Sequence, residues 1–356
     1  MDSTVYRIQP IERPVVGLVI GGKTLAERDR LEASTEALMA LYSGVPLGEL
    51  LLFPPDRWLP YQMITVQHRI ALEEAPYEVR GILRPVCDQV EAALRANPNY
   101  RPGLLARIQQ VTLVRPARVN RITGPLKPPS DEEQVKVTLL RPVHYSEAMA
   151  TNLIADVPLS LFGLDEPSTP RLLDRGANGT LRPLEESMLA NPIGVAGLAI
   201  SRDGQILTMH RAKHLSTYAD VLGATSSGYV DWSDITAAPG SLNAALLFAL
   251  RREIGEELYL MPEEIDGIDF VPLGVYREFY RAGFVQAFYG FSLPLSAGEL
   301  AERLNTHGPH GEFQALVALP RGVDLAALFD QGAMAGVPVG KELQGLLAAA
   351  RQFRFL

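Results

Sequence analysis

The sequence predicts a mixed α/β protein in two parts, and three observations carry that reading. Apolar runs of strand length alternate with longer stretches of helical spacing. The chain has 356 residues, 47% hydrophobic and 21% charged, which is enough for sizeable cores and about two domains. A turn-rich stretch at residues 164–192 holds Pro167, Pro170, Gly176, Gly179, Pro183 and Pro192, and reads as a linker or extended crossing. The expected division is an α+β N-terminal domain at 1–180 and an α/β domain at 190–356, with the linker at about 164–192.

In the first part, residues 15–20 read as a buried strand closed by Gly21-Gly22. A helical pattern follows at about 24–42, with Leu31, Leu38 and Leu41. A second runs over about 76–96, with Cys87 beside Val86, Val90 and Leu94 as a small packing residue. Two β-rich runs lie near 111–119 and 135–140. The Gly-Gly turn lacks the G-x-G-x-x-G spacing of a dinucleotide-binding turn. In the second part, residues 195–200 and 205–210 flank Arg202-Asp203-Gly204 and predict a hairpin. A helix is expected at about 241–258, strands near 270–276, 284–293 and 313–319, and a last helix at about 341–352.

Composition excludes several classes. Cys87 is the only cysteine, so neither an internal disulfide nor a four-thiolate metal site can form, and a reducing cytoplasm fits best. The start has no basic region followed by an apolar stretch, and no apolar run approaches the roughly 20 residues of a membrane span. A soluble protein with no membrane partner is expected. The net charge of −8 argues against affinity for nucleic acid, and the basic strip within 101–141 reads as a solvated surface.

The chemistry concentrates in Arg252-Glu253-Ile254-Gly255-Glu256-Glu257. Glu253, Glu256 and Glu257 stand at i, i+3 and i+4, which puts three like charges on one side of a helix at roughly 5–6 Å between Cβ atoms. They also fall in the last turn, where the helix dipole disfavours anions. Clustered carboxylates there gain by holding a hard divalent cation, and the other reading is a solvated acidic face.

These residues resemble the Nudix box, G-x5-E-x7-R-E-U-x-E-E-x-G-U with U a bulky aliphatic. With five residues between it and Gly228, Asp234 stands where the first Glu of the box belongs. The resemblance covers about residues 190–330, with the hairpin before the box and the two strands after it. It departs in three places. Asp replaces Glu at 234, 17 residues instead of seven separate Asp234 from Arg252, and Tyr259 replaces the last Gly. The extra residues, about 235–244, are expected to form a surface excursion re-entering the helix near Ser241.

The resemblance implies a Nudix α/β/α sandwich with a mixed sheet, preceded by the α+β domain. It further implies a pyrophosphohydrolase that cleaves a diphosphate linkage in a nucleoside-diphosphate-linked small molecule with Mg²⁺ or Mn²⁺. Glu253, Glu256 and Glu257 would bind the metal and take part in catalysis, and Asp234 with Arg252 would brace the box. Read from the residues alone, Glu312 is a candidate general base. His307 and His310, in the same loop, and His210 and His214 are weaker candidates. Arg211, Gly228, Arg277 and Arg281 are candidate substrate-binding residues. Two alternatives stay open. One is a non-catalytic nucleotide-sensing or interaction module on a degenerate Nudix fold. The other is an isomerase of that fold, disfavoured because Cys87 lies outside the resembling region. The first part would cover the cleft or make a homodimer.

Overall fold

A computed structural model of the chain describes residues 3–9, 18–20, 23–25, 35–46, 49–52, 58–96, 100–114, 135–166, 168–213, 215, 218–307 and 311–356. Residues 15–17, Gly21-Gly22, 26–34, 115–134, Pro167, His214 and His310 lie outside these. The chain is mixed α and β, built on a large mixed sheet. Its strands run in the order Thr4–Arg7, Phe313–Pro320, Gln205–Arg211, Ile193–Ile200, Phe284–Ser292, Phe270–Glu278, Trp58–Met63 and Leu50–Leu52. Two short strands complete it. Leu222–Gly223 pairs with Gln205–Arg211, and Ser226–Tyr229 pairs with Ile193–Ile200. All neighbours are antiparallel except Phe284–Ser292, which runs parallel to Ile193–Ile200.

Every residue of Ile193–Ile200 is buried, because helices cover both faces of the sheet there. The period of two sorts the side chains. Val195, Leu207 and Met209 join a core with Leu246, Leu250 and Ile254 of the helix Leu242–Leu258. Ala196, Leu198 and Ile206 join the opposite core with Leu343, Leu346 and Leu347 of the C-terminal helix Lys341–Gln352.

The predicted hairpin forms, with Gly204 in the left-handed region at φ 77° closing its turn. Its strands then part. Only Ile206↔Ile200 and Leu207↔Ala199 pair, after which Gln205–Arg211 follows Phe313–Pro320 instead. At the fork Thr225 Oγ1 donates to Leu207 O (2.5 Å) and accepts from Ala199 N (2.8 Å). Ser226–Tyr229 runs on from there along Gly194–Gly197. That fork is the wedge in which the acidic helix finds its site.

The first part corrects the domain division. Thr4–Arg7 pairs with Phe313–Pro320, and Trp58–Met63 with Phe270–Glu278, so residues below 64 complete the sheet of the second part. A sheet edge gains a ladder of hydrogen bonds from any nearby extended segment, whatever its distance in sequence. A second sheet, Ile70–Leu72, Leu104–Val114 and Val135–His144, abuts the first through Ala106 N to Val230 O (2.8 Å). The supposed linker is a packed seam. Arg107, fully buried, donates to Leu184 O (2.6 Å), Leu189 O (2.5 Å) and Ala190 O (3.1 Å). Asn191 Nδ2 donates to Ser187 Oγ (2.6 Å) and its Oδ1 accepts from Asn152 Nδ2 (2.8 Å).

Two helical patterns depart from the periodicity. In the first, Lys23–Leu25 is a strand paired with Leu18–Ile20, and Thr35–Leu41 is helical among the described residues. The second starts at Arg84, because Tyr77 bridges Val143, Gly81 takes φ 64° and Pro85 suits only a first turn. The last helix matches its predicted bounds. Among the described residues no helix is long and apolar enough to cross a membrane.

Candidate functional site

The helix Leu242–Leu258 begins at Ser241, whose backbone is extended but whose side chain makes no capping bond. Leu242, Leu246, Leu250 and Ile254 repeat at four-residue spacing and bury one side against the sheet. Glu253 and Glu257, one turn apart, lie against the strand Ser226–Tyr229. Glu257 is 4% exposed, and one of its oxygens accepts from Ser227 N (3.1 Å). Glu253 Oε1 lies where a Cβ on Gly228 would be, at 2.0 Å. A Cβ at 228 would push the Glu253 carboxylate away from its bond to Arg252. Glu256, at i+3, turns to the rim with its side chain 62% exposed, its nearest cation being Arg252 at 3.5 Å.

Asp234 and Arg252 meet in spite of the longer loop. Arg252 donates from Nε to Asp234 Oδ1 (3.2 Å) and from Nη2 to Oδ2 (3.0 Å). The same guanidinium reaches Glu253 Oε1 (2.9 Å) and Tyr229 O (3.0 Å), tying helix, strand and loop together. The extra residues form the expected surface excursion, with 236–237 and 239–240 exposed and re-entry into the helix at Ser241. It opens from the short helix Trp232–Ala237, with Asp231 at its N-cap and Asp234 and Ile235 buried. At the helix C-cap, Tyr259 takes the left-handed region at φ 54°, where glycine is usual. Its ring stacks on His307 at 4.5 Å, so His307 serves packing at that corner.

Glu312 reaches the cluster from the start of Phe313–Pro320. Burial pushes Glu253 up to about 7, with Arg252 opposing and the Glu256 and Glu312 carboxylates adding to the rise. Glu257 is pushed well up by burial, then by Glu312 and Glu253, while Arg211 opposes. Glu253, Glu257 and Glu312, with Arg252 and Arg211, thus feel one another's charge from three distant segments. Among the described residues no three carboxylate, imidazole or thiol groups are already close enough to hold a metal ion.

The other two arginines correct their expected role. Arg277 is turned into the seam, where it donates to Arg182 O (2.6 Å) and Gly283 O (3.3 Å), and burial lowers it to about 10. Arg281 stacks on Phe284 at 3.7 Å and pairs with Glu278, with Glu342 at 3.7 Å. Neither offers a free guanidinium to a phosphate. Sequence reasoning passed over Ser227, Tyr218, Glu278 and Glu342, which surround Arg281 and the wedge. Their spacing carries no signal, and an acid in the first turn of an amphipathic helix, as Glu342 is, reads as dipole compensation.

No family model matches the chain, and a search of curated proteins found no match. Among solved structures, the crystal structure of DR0079 from Deinococcus radiodurans is 19% identical, over 39% of this chain and 81% of that chain, with a TM-score of 0.22. A TM-score that low carries no argument about this chain.

Proposed function

We propose that the chain is a Nudix-type pyrophosphohydrolase dependent on Mg²⁺ or Mn²⁺, acting on a nucleoside diphosphate linked to another small group. The observation that carries this reading is the Arg252–Asp234 pair, which holds the Gly228 strand against Glu253 across 17 intervening residues. A charged surface helix needs no such bracket.

The residues fit a hard divalent cation. The donors are carboxylate oxygens, Glu253 raises Glu257, and Gly228 leaves room for the Glu253 carboxylate. Glu253, Glu256 and Glu257 would hold the ion, which when bound supplies charge neutralisation on a diphosphate and activation of water. Arg252 orients Glu253 through its short hydrogen bond. Ser227 N orients Glu257. Glu312, charge-coupled to both, is the group to take a proton from attacking water. Arg211 is the cation left to meet phosphate oxygens. Positioning and charge stabilisation of this kind are most of what phosphoryl transfer requires.

One observation favours the rival binding module: Glu256 faces solvent and the acids do not converge as they stand. A panel of ADP-ribose, NADH, dinucleoside polyphosphates, nucleotide sugars and nucleoside triphosphates, each with Mg²⁺ or Mn²⁺, separates the two. Metal-dependent release of a nucleoside monophosphate or phosphate from one of them is expected. Calorimetric binding of a nucleotide without any product moves the reading to the binding module.

A further inference from the structure

The connection from Gln205–Arg211 to Leu222–Gly223 is fastened to strands on both sides of the fork. Two of its residues, Tyr218 (φ 50°) and Asp220 (φ 57°), lie in the left-handed region. Asp tolerates that region, but a tyrosine there crowds its β-carbon, so the conformation is imposed by what the side chains hold. Asp220 Oδ1 lies 3.0 Å from His210 Nε2 and accepts from Gln314 Nε2 (3.0 Å), which ties this end to Gln205–Arg211 and Phe313–Pro320. Two residues earlier, the Tyr218 hydroxyl donates to Glu278, the last residue of Phe270–Glu278.

The strand order shows what lies between those attachments. Ile193–Ile200 and Phe284–Ser292 separate the two strands, and Ser226–Tyr229 fills the fork beside Ile193–Ile200. Glu278 pairs with Phe284, Val285 pairs with Ile193, and Ile193 O accepts from Val230 N (2.9 Å). Tyr218 therefore crosses the sheet at the end where Ser226–Tyr229 finishes. Glu278 alternates with Tyr276, and Ser227 is paired with Ala196, so both face the core under the C-terminal helix. The side chains beneath the tyrosine stack in order. The Arg281 guanidinium lies 5.4 Å from the Tyr218 ring and 3.7 Å from the Phe284 ring, and Phe284 packs on Tyr229 at 5.8 Å.

Glu278 does not depend on the tyrosine. It is fully buried and accepts from Arg281 Nε (2.6 Å), so its charge is already paired. The bond from Tyr218 is released without leaving a buried carboxylate alone. We propose that Tyr218 is the latch of a strap that closes the fork on the side of the C-terminal helix: held on Glu278 it covers the strand Ser226–Tyr229, and released it opens Ser227 and Tyr229 to a ligand. The inference needs neither a metal nor turnover, so its failure leaves the hydrolase reading where it stands.

The test uses a thiol as reporter, because Cys87, the only cysteine, is 1% exposed in a separate core. Ser227→Cys places a thiol under the strap. Its rate of reaction with dithionitrobenzoate is compared with and without Tyr218→Phe, which keeps the ring and removes the hydroxyl. A reaction that passes through a transient opening follows the open fraction. Tyr218→Phe is expected to speed it by about tenfold or more, the factor that one hydrogen bond to a charged group is worth. If Ser227→Cys does not fold, tryptic cleavage after the exposed Lys213 decides, measured in chain that keeps Ser227, with the same factor expected. Equal rates with and without the hydroxyl overturn the proposal. So does a rate that rises equally at Cys87, since that marks general loosening.

Discussion

The wedge and the seam bury charge in opposite ways. In the seam the buried cations are spent on backbone carbonyls, and the buried acid Asp174 accepts from Ser187 Oγ (2.7 Å) and Met188 N (2.6 Å). Arg107 serves Leu184, Leu189 and Ala190, Arg277 serves Arg182 and Gly283, and Arg171 serves Phe279 and Tyr280 while pairing with Asp156. In the wedge the charges are anions that face one another. Burial with Glu256 and Glu312 raises Glu253, and burial with Glu312 and Glu253 raises Glu257, while Arg252 opposes the first and Arg211 the second. A guanidinium that satisfies loop carbonyls is a staple. Buried carboxylates gathered against their own repulsion are kept for something other than stability.

The largest test of that contrast is Glu257→Gln, which keeps the shape and removes the charge. Turnover on the substrate found by the panel should fall at least about 10²-fold, while thermal unfolding stays the same or rises slightly. Full activity in this variant breaks the assignment of the wedge as a metal site. Arg107→Met should behave in the reverse sense. Three carbonyls lose their donor, so urea unfolding should show a loss of roughly 3 kcal/mol or more. A loss well under 1 kcal/mol would mean that the seam is not stapled as described.

The pH dependence sharpens the comparison further. Burial, then the neighbouring acids against Arg252, raises Glu253 from its ordinary 4.5 to about 7. Folded protein therefore keeps a proton that the unfolded chain has lost. The stability this contributes is full below about 4.5 and disappears as pH rises through about 7. Metal-free protein should thus melt at a lower temperature at pH 8 than at pH 5.5, and Mn²⁺ at pH 8 should reverse the difference. A melting temperature that rises over that window places the burden on other groups. The smallest effect is expected at Cys87, which is 1% exposed and raised to about 12 by burial. Cys87→Ser should cost about 1–3 kcal/mol as a buried hydroxyl and leave turnover unchanged. Lost turnover in a folded variant would return thiol chemistry to consideration.

Most elements of the second part were legible because their signals are local. The run 341–352 shows its helix by spacing alone, and Arg202-Asp203-Gly204 announces its turn. The first part was harder to read. Thr4–Arg7 and Leu50–Leu52 are too short and too plain to show which sheet they complete. Arg107 looked like one member of a basic strip, and only its three carbonyl partners reveal a staple. Arg277 and Arg281 sit beside aromatics in a pattern that suits phosphate recognition, yet both are used internally. Sequence spacing tells which residue types are near one another, but not which way a guanidinium turns at a strand end.

By itself the sequence determined the acidic helix and the i and i+4 placement of Glu253 and Glu257. These follow from the helical and strand periods, which act within a few residues. Tertiary structure alone decided the parting of the hairpin at Thr225, the return of Asp234 to Arg252, the close approach of Glu253 to Gly228, and the arrival of Glu312 beside Glu253 and Glu257. Those outcomes depend on which distant segments share a core. Loop closure discriminates weakly among partners, since its cost grows only logarithmically with chain length, so burial and hydrogen-bond satisfaction make the choice.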